Sequence, residues 1–167
     1  MRRMISEIAS PSERHTLAEL LSSPAASPRR FVFGTLIRVI RTASLEILLD
    51  QQGPFTVFAP NDGAFARMPN EEFDDLVQPD HESWLVAVIT YHIVPGYWPA
   101  SALTNRTVRA VNGERVAARH VGPHLLVNDA KILTADIPAR NGVVHEIDGV
   151  LVPPHAKGMP KRKGRQS

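Results

Sequence analysis

His92, His145 and Asp62 are the side chains in this sequence whose types could do chemistry together. A carboxylate and two imidazoles are the parts of a general acid–base pair or of a metal site. His145 lies in "RNGVVHEIDGVLVPP", residues 140 to 154. In an extended chain Val143, His145 and Ile147 share one face, and Val144, Glu146 and Asp148 share the other. The apolar company on its own face implies partial burial, and a buried imidazole must satisfy both ring nitrogens. His145 therefore reads as a structural tie. His92, in "YHIVPG", stands at a helix-to-strand junction, where a polar ring can bridge backbone groups. Asp62 follows a strand and reads as a helix cap worth about 1 kcal/mol.

Other constellations are weaker. His120 and His124 flank a Gly-Pro turn in "HVGPH", and a metal there would need a third ligand that the sequence does not offer. Glu71-Glu72 and Asp74-Asp75 read as solvated faces of short helices. The sequence has no cysteine, which removes disulfides, thiol nucleophiles, zinc–thiolate sites and iron–sulfur clusters. It has no G-x-S-x-G elbow, no H-E-x-x-H and no phosphate loop. No catalytic residue, metal or cofactor is expected.

The elements that must position these residues follow from periodicity. "TLAELL" is a short helix started near Ser12 or Thr16 and closed by Pro24 and Pro28. In "RRFVFGTLIRVIRTASLEILLD", Phe33, Leu36, Ile37 and Ile40 form an apolar helix face, with a shorter piece from Leu45 to Leu49. "QQGPFTVFAP" is a strand, and Asn61 or Asp62 caps the helical turn after it. Asn70 is expected to cap "EEFDDLV", and Asp80 to cap "HESWLVAVITY". After Tyr91 the period changes to two, and six stretches read as strands. The breaks between them include Asn112-Gly113 and Asn141-Gly142, which are hairpin signals because both residues tolerate positive φ. Helices first and strands later predict an α+β domain.

The length fits one domain with tails. The chain carries a net +2, and its last thirteen residues, "HAKGMPKRKGRQS", carry +5 with no acid, which leaves −3 for the rest. A body of that charge is not expected to bind nucleic acid specifically. The basic tail is suited to touching anionic surfaces. No apolar run is long enough to span a membrane, and "MRRMISEIAS" does not read as a signal peptide.

Three segments carry a resemblance: "FTVFAPNDGAFARMP" (55–69), "TYHIVPG" (90–96) and "NGVVHEIDGVLVPP" (141–154). In order and spacing they resemble the signature segments of the fasciclin-like domain family, and the likeness covers about residues 16 to 154. The resemblance implies an N-terminal extension over 1–15, the domain over 16–154 and a disordered basic tail over 155–167. It implies an α+β wedge: a sandwich-like core of about seven strands with N-terminal and inserted helices packed on it. It implies structural roles for Thr56, Asp62, His92 and His145, with the segments of Asp62 and His145 close together in the core and a hydrogen bond from His145 to the loop that carries Asp62. It further implies a non-enzymatic module for cell adhesion or protein interaction, secreted, periplasmic or at the cell surface, as a monomer or weak oligomer. Its partner would be a protein or polysaccharide of a cell surface or matrix. In animal matrix members the Tyr-His segment and an Asp-Ile pair are implicated in integrin binding, which matches Tyr91, His92, Asp136 and Ile137. Some relatives bind carotenoids, so a carrier of small apolar ligands, lined by Phe33, Trp84 and Trp98, is the alternative. Ser44 stands where the family usually has glycine.

Overall fold

The computed structural model describes residues 16–22, 33–51 and 53–153. The expected N-terminal extension, the basic tail, the cap at Ser12 and the helix-closing Pro24 and Pro28 lie outside the described residues. The order is α1 (Leu17–Ser22), α2 (Gly34–Thr42), α3 (Glu46–Leu49), β1 (Phe55–Pro60), α4 (Asp62–Arg67), α5 (Asn70–Leu76) and α6 (Glu82–Tyr91), the last entered through a 3-10 turn at Pro79–His81. Then come β2 (Ile93–Pro95), α7 (Ala100–Leu103), β3 (Arg106–Arg109), β4 (Arg115–Val121), β5 (His124–Val127), β6 (Ala130–Ala139) and β7 (Gly142–Ile147). The change of period after Tyr91 coincides with the end of α6. The short α7 falls where only strands were expected.

Local chemistry explains most boundaries. Thr16 and Glu19 form a reciprocal capping box at α1: the Thr16 amide donates to Glu19 Oε1 at 2.8 Å, and the Glu19 amide to Thr16 Oγ1 at 3.2 Å. At α4 the cap is Asn61, whose Oδ1 accepts from the Ala64 amide at 2.8 Å. Asn70 and Asp80 do not cap. Asn70 is already the first residue of α5 and Asp80 sits inside the 3-10 turn, so Pro69 and His81 occupy the cap positions without side-chain bonds. Helix α2 ends with the Leu45 amide on Ile40 O and the Ser44 amide on Arg41 O, both at 3.0 Å. That pattern needs a left-handed residue, and Ser44 supplies it at φ 58, where glycine would be at ease.

The seven strands form one sheet in the order β2-β1-β7-β6-β5-β4-β3, antiparallel except for β1 beside β7. Register shifts in β6 between Ile132 and Thr134 and between Thr134 and Ile137 bend the sheet. It curls until the segment after β3 reaches β2, where the Val111 amide donates to Ile93 O at 2.7 Å. One apolar cluster fills the space under the helices, with Phe33, Ile40, Trp84, Val57 and Val144. A second lies within the curl, with Phe58, Tyr91, Val108, Val127 and Ile147. The parallel pair β1–β7 thus has cores on both faces, as parallel strands require. A Cβ at Gly142 would run into the backbone of Phe55, so glycine there permits the close approach of β1. Asn141-Gly142 is therefore not a turn with two positive φ values, and at Asn112-Gly113 only the glycine has one, φ 91.

Candidate functional site

Three of the polar residues singled out by sequence, Thr56, His145 and Asp136, converge on the loop between β2 and α7. Thr56 is central in β1 and fully buried. Its hydroxyl donates to Gly96 O at 2.8 Å and accepts the Trp98 amide at 2.9 Å. His145, its near neighbour on β7, reaches the same residue: Nε2 lies 2.8 Å from Trp98 O. Its other nitrogen, Nδ1, accepts the Asp136 amide at 3.0 Å, which places the ring proton on Nε2. Asp136 occupies the bent part of β6 at φ 60, and its Oδ1 accepts the Ala100 amide at 2.9 Å. The Phe58 ring stacks on His145 with centroids 5.8 Å apart. Burial lowers the pKa of His145; the bond to Trp98 O and the charge of Asp136 oppose it. The ring is thus neutral near pH 7 and serves as a backbone bridge.

The loop held in this way presents Tyr97, 58% exposed, and a half-buried Trp98. The Arg106 guanidinium sits 5.3 Å from the centre of the Trp98 ring, and Trp98 Nε1 donates to Pro95 O at 3.2 Å. The loop backbone and the Trp98 side chain are therefore fixed before any partner arrives.

His92 makes a second tie elsewhere. Its Nε2 accepts the Leu151 amide at 2.9 Å, so Nδ1 carries the proton and donates to Val88 O at 2.7 Å. Burial pulls its pKa from 6.5 to about 4, against the raising effect of the Val88 bond. The adjacent Tyr91 hydroxyl donates to Arg115 O at 2.7 Å and accepts from Asn128 Nδ2 at 3.0 Å. Asp62 caps a helix, but not its own: its Oδ1 accepts the Thr35 amide at 2.8 Å, at the start of α2. The expected bond from His145 to the Asp62 loop is replaced by one between their neighbours, Asn61 Nδ2 to Glu146 Oε2 at 2.7 Å. A side chain cannot reach both partners, and His145 faces the curl, away from that loop.

The residues matched to integrin binding sit differently from one another. Tyr91, His92 and Ile137 are buried, and Asp136 alone of the four is exposed. Phe33 and Trp84 pack in the core under the helices, while Trp98 lies beside Arg106, so they do not share a cavity wall. A surface cavity of about 320 Å³ near Asn128 and Leu151 involves none of the three. Among the described residues no group of three or more His, Asp or Glu side chains could hold a metal, and His120 Nε2 lies 3.1 Å from Thr104 Oγ1. No described helix is long and apolar enough to cross a membrane.

Sequence reasoning missed Asn141, which it read as a turn residue. Its Oδ1 accepts the Leu17 amide at 2.8 Å, and its Nδ2 donates to Leu49 O and Gln51 O, each at 2.7 Å. It also missed Asn128, bonded to Tyr91 and to the Ala117 amide. No sequence signal marked either asparagine as a tie, because turn propensity explains both positions.

The family model for the Fasciclin domain matches residues 32–153. The protein named sll1483 of Synechocystis sp. is 38% identical over 122 residues, covering 73% of this chain and 68% of that one. Human periostin is 32% identical over 124 residues, 72% of this chain but 15% of periostin. A solved FAS1 domain pair from the insect cell adhesion molecule Fasciclin I superimposes with a TM-score of 0.68 at 15% identity, covering 84% of this chain and 51% of that one, and so shares the fold.

Proposed function

The chain belongs to the fasciclin domain family, and from that premise we propose that it is a non-enzymatic adhesion module, displayed outside the cytoplasm, that binds a protein or polysaccharide of a cell surface or matrix. The observation that carries the reading is how its buried and capping polar side chains are used. Thr56, Asp62, His92 and His145 each spend their polar atoms on backbone groups of distant segments. Side chains so occupied are scaffolding, and the product of the scaffold is a rigid surface. Pre-organised loops bind with less loss of conformational freedom. In this reading Tyr91, His92 and Ile137 support the contact surface from below, and Asp136 positions α7 at its edge. A single domain of this kind binds weakly and gains strength by clustering.

The test is attachment. Beads carrying many copies of the full chain are expected to bind cells, matrix proteins or extracellular polysaccharides of the source organism, and single copies to bind far less. Beads that bind none of these at high density overturn the proposal.

A further inference from the structure

The charge of the body is unevenly placed. Burial alternates along β3, β4 and β5, so that Val108, Val116 and Val127 point inward while Arg109, Arg115 and Arg119 lie exposed on the opposite face. Arg109 pairs directly across from Arg115. Arg119 pairs with Leu126, and Leu126 with Lys131 on β6. The outward face therefore bears two rows of cations, Arg109–Arg115 and Arg119–Lys131. Four residues of extended chain along β4 separate them, about 13 Å. Three acids border the rows: Glu114 in the adjoining turn, Asp129, whose carboxylate lies 3.7 Å from Arg119, and Asp148, whose Oδ1 accepts the Lys131 amide at 2.8 Å. Like charges directly opposite one another weaken a sheet. Arg109 donates to Gly113 O at 3.3 Å, but a neutral carbonyl leaves its charge opposite that of Arg115, which a bound anion would relieve.

We infer that this sheet face docks a linear acidic polysaccharide, its carboxylate or sulfate groups meeting the two rows. The inference rests on the adhesion reading and gives its partner a chemical class. Three of the four cations are arginines, whose planar fork pairs with such anions through two hydrogen bonds. The face is an open sheet, with no groove to fit a duplex. Residues 1 to 154 carry −3 in total despite these four cations, so the remainder of that stretch is net acidic. An extended chain with spaced charges can follow β4 and touch the face alone. A densely charged duplex would bring phosphates against the acidic remainder.

The test uses the full chain and measures binding to a heparin oligosaccharide and to polygalacturonate at low and physiological salt. The double variant R115E/R119E is expected to bind at least about tenfold more weakly while keeping a cooperative melting transition, because both side chains are exposed and the fold does not depend on them. R109Q, a milder change on the same face, is expected to weaken binding about threefold. The tail variant K161Q/R162Q/K163Q is expected to bind nearly as the parent does. Loss in the tail variant alone overturns the inference. So does equal affinity of the parent for duplex DNA or for phosphatidylserine vesicles with the same dependence on Arg115 and Arg119. A chain that adheres to cells but ignores both polysaccharides overturns the inference and leaves the adhesion reading standing. A chain that binds them through Arg115 and Arg119 yet adheres to nothing supports the inference and overturns that reading.

Discussion

His92 and His145 are one device built twice. Each buried ring accepts one backbone amide and donates to one backbone carbonyl, but the proton sits on Nδ1 in the first and on Nε2 in the second. They differ in what they join. His92 fastens the end of α6 to Leu151, in the segment after β7, and burial is the dominant influence on its charge. His145 fastens a bend in β6 to the surface loop at Trp98, and a nearby carboxylate opposes the effect of burial. The first tie closes the fold; the second shapes a surface. Residue type and bonding pattern are shared, so the difference in role comes from where the bonded segments lie.

The sharpest way to break this comparison is to remove each ring. His92→Ala empties a buried site and strands the Leu151 amide, and is expected to cost about 3–4 kcal/mol in urea unfolding. A loss below about 1 kcal/mol would show that closure does not depend on it. Acid should act in the same direction. The folded pKa of His92, about 4, lies below its ordinary 6.5, so the unfolded chain takes up the proton first. Stability is complete above about pH 6.5 and falls towards pH 4, by about 3 kcal/mol from this group. The lowered pKa of His145 adds to the same trend. Melting temperatures across that range check the slope, and His92→Gln should flatten it.

His145→Ala is expected to cost less, about 2 kcal/mol, because its partners lie nearer the surface where water can replace the ring. Its distinguishing sign is local: hydrogen exchange at the Trp98 and Asp136 amides should speed up well before global unfolding. Exchange that changes only with global unfolding would erase the contrast with His92. Thr56→Val keeps the shape of the side chain and removes two bonds to the same loop, for a loss of about 1 kcal/mol. Ser44→Gly lies outside both ties. It should raise stability by about 0.5–1 kcal/mol by relieving the left-handed serine, and a loss would mean that the α2 terminus is not under strain.

Legibility in the sequence varied with range. The helix faces, the helix start near Thr16 and the strand run after Tyr91 depend on residues a few positions apart, so periodicity and caps exposed them. That His145 is a buried tie was legible from its apolar neighbours, and that His92 bridges backbone groups from its place at a helix-to-strand junction. Their partners were not. His145 was expected to bond the Asp62 loop and instead bonds Trp98, 47 residues away, while His92 bonds Leu151, 59 residues away. Asp62 was legible as a cap, but the helix it caps starts 27 residues earlier in the chain, at the Thr35 amide. The paired arginine rows were hidden for a related reason: total charge is additive along the chain, whereas their alignment depends on register.

By itself the sequence determined the α+β class, the two periodicities, the three fasciclin-type segments and the need of each buried polar group for a partner. These follow from short-range spacing and from the cost of burying an unsatisfied donor or acceptor. Only the tertiary structure decided which partner each group found, that β1 and β7 run parallel with cores on both faces, and that the cations of β3, β4 and β6 line up on one side. Those outcomes depend on how a curled sheet brings distant segments together, and hydrogen bonds select by distance and direction in space, not by position along a chain.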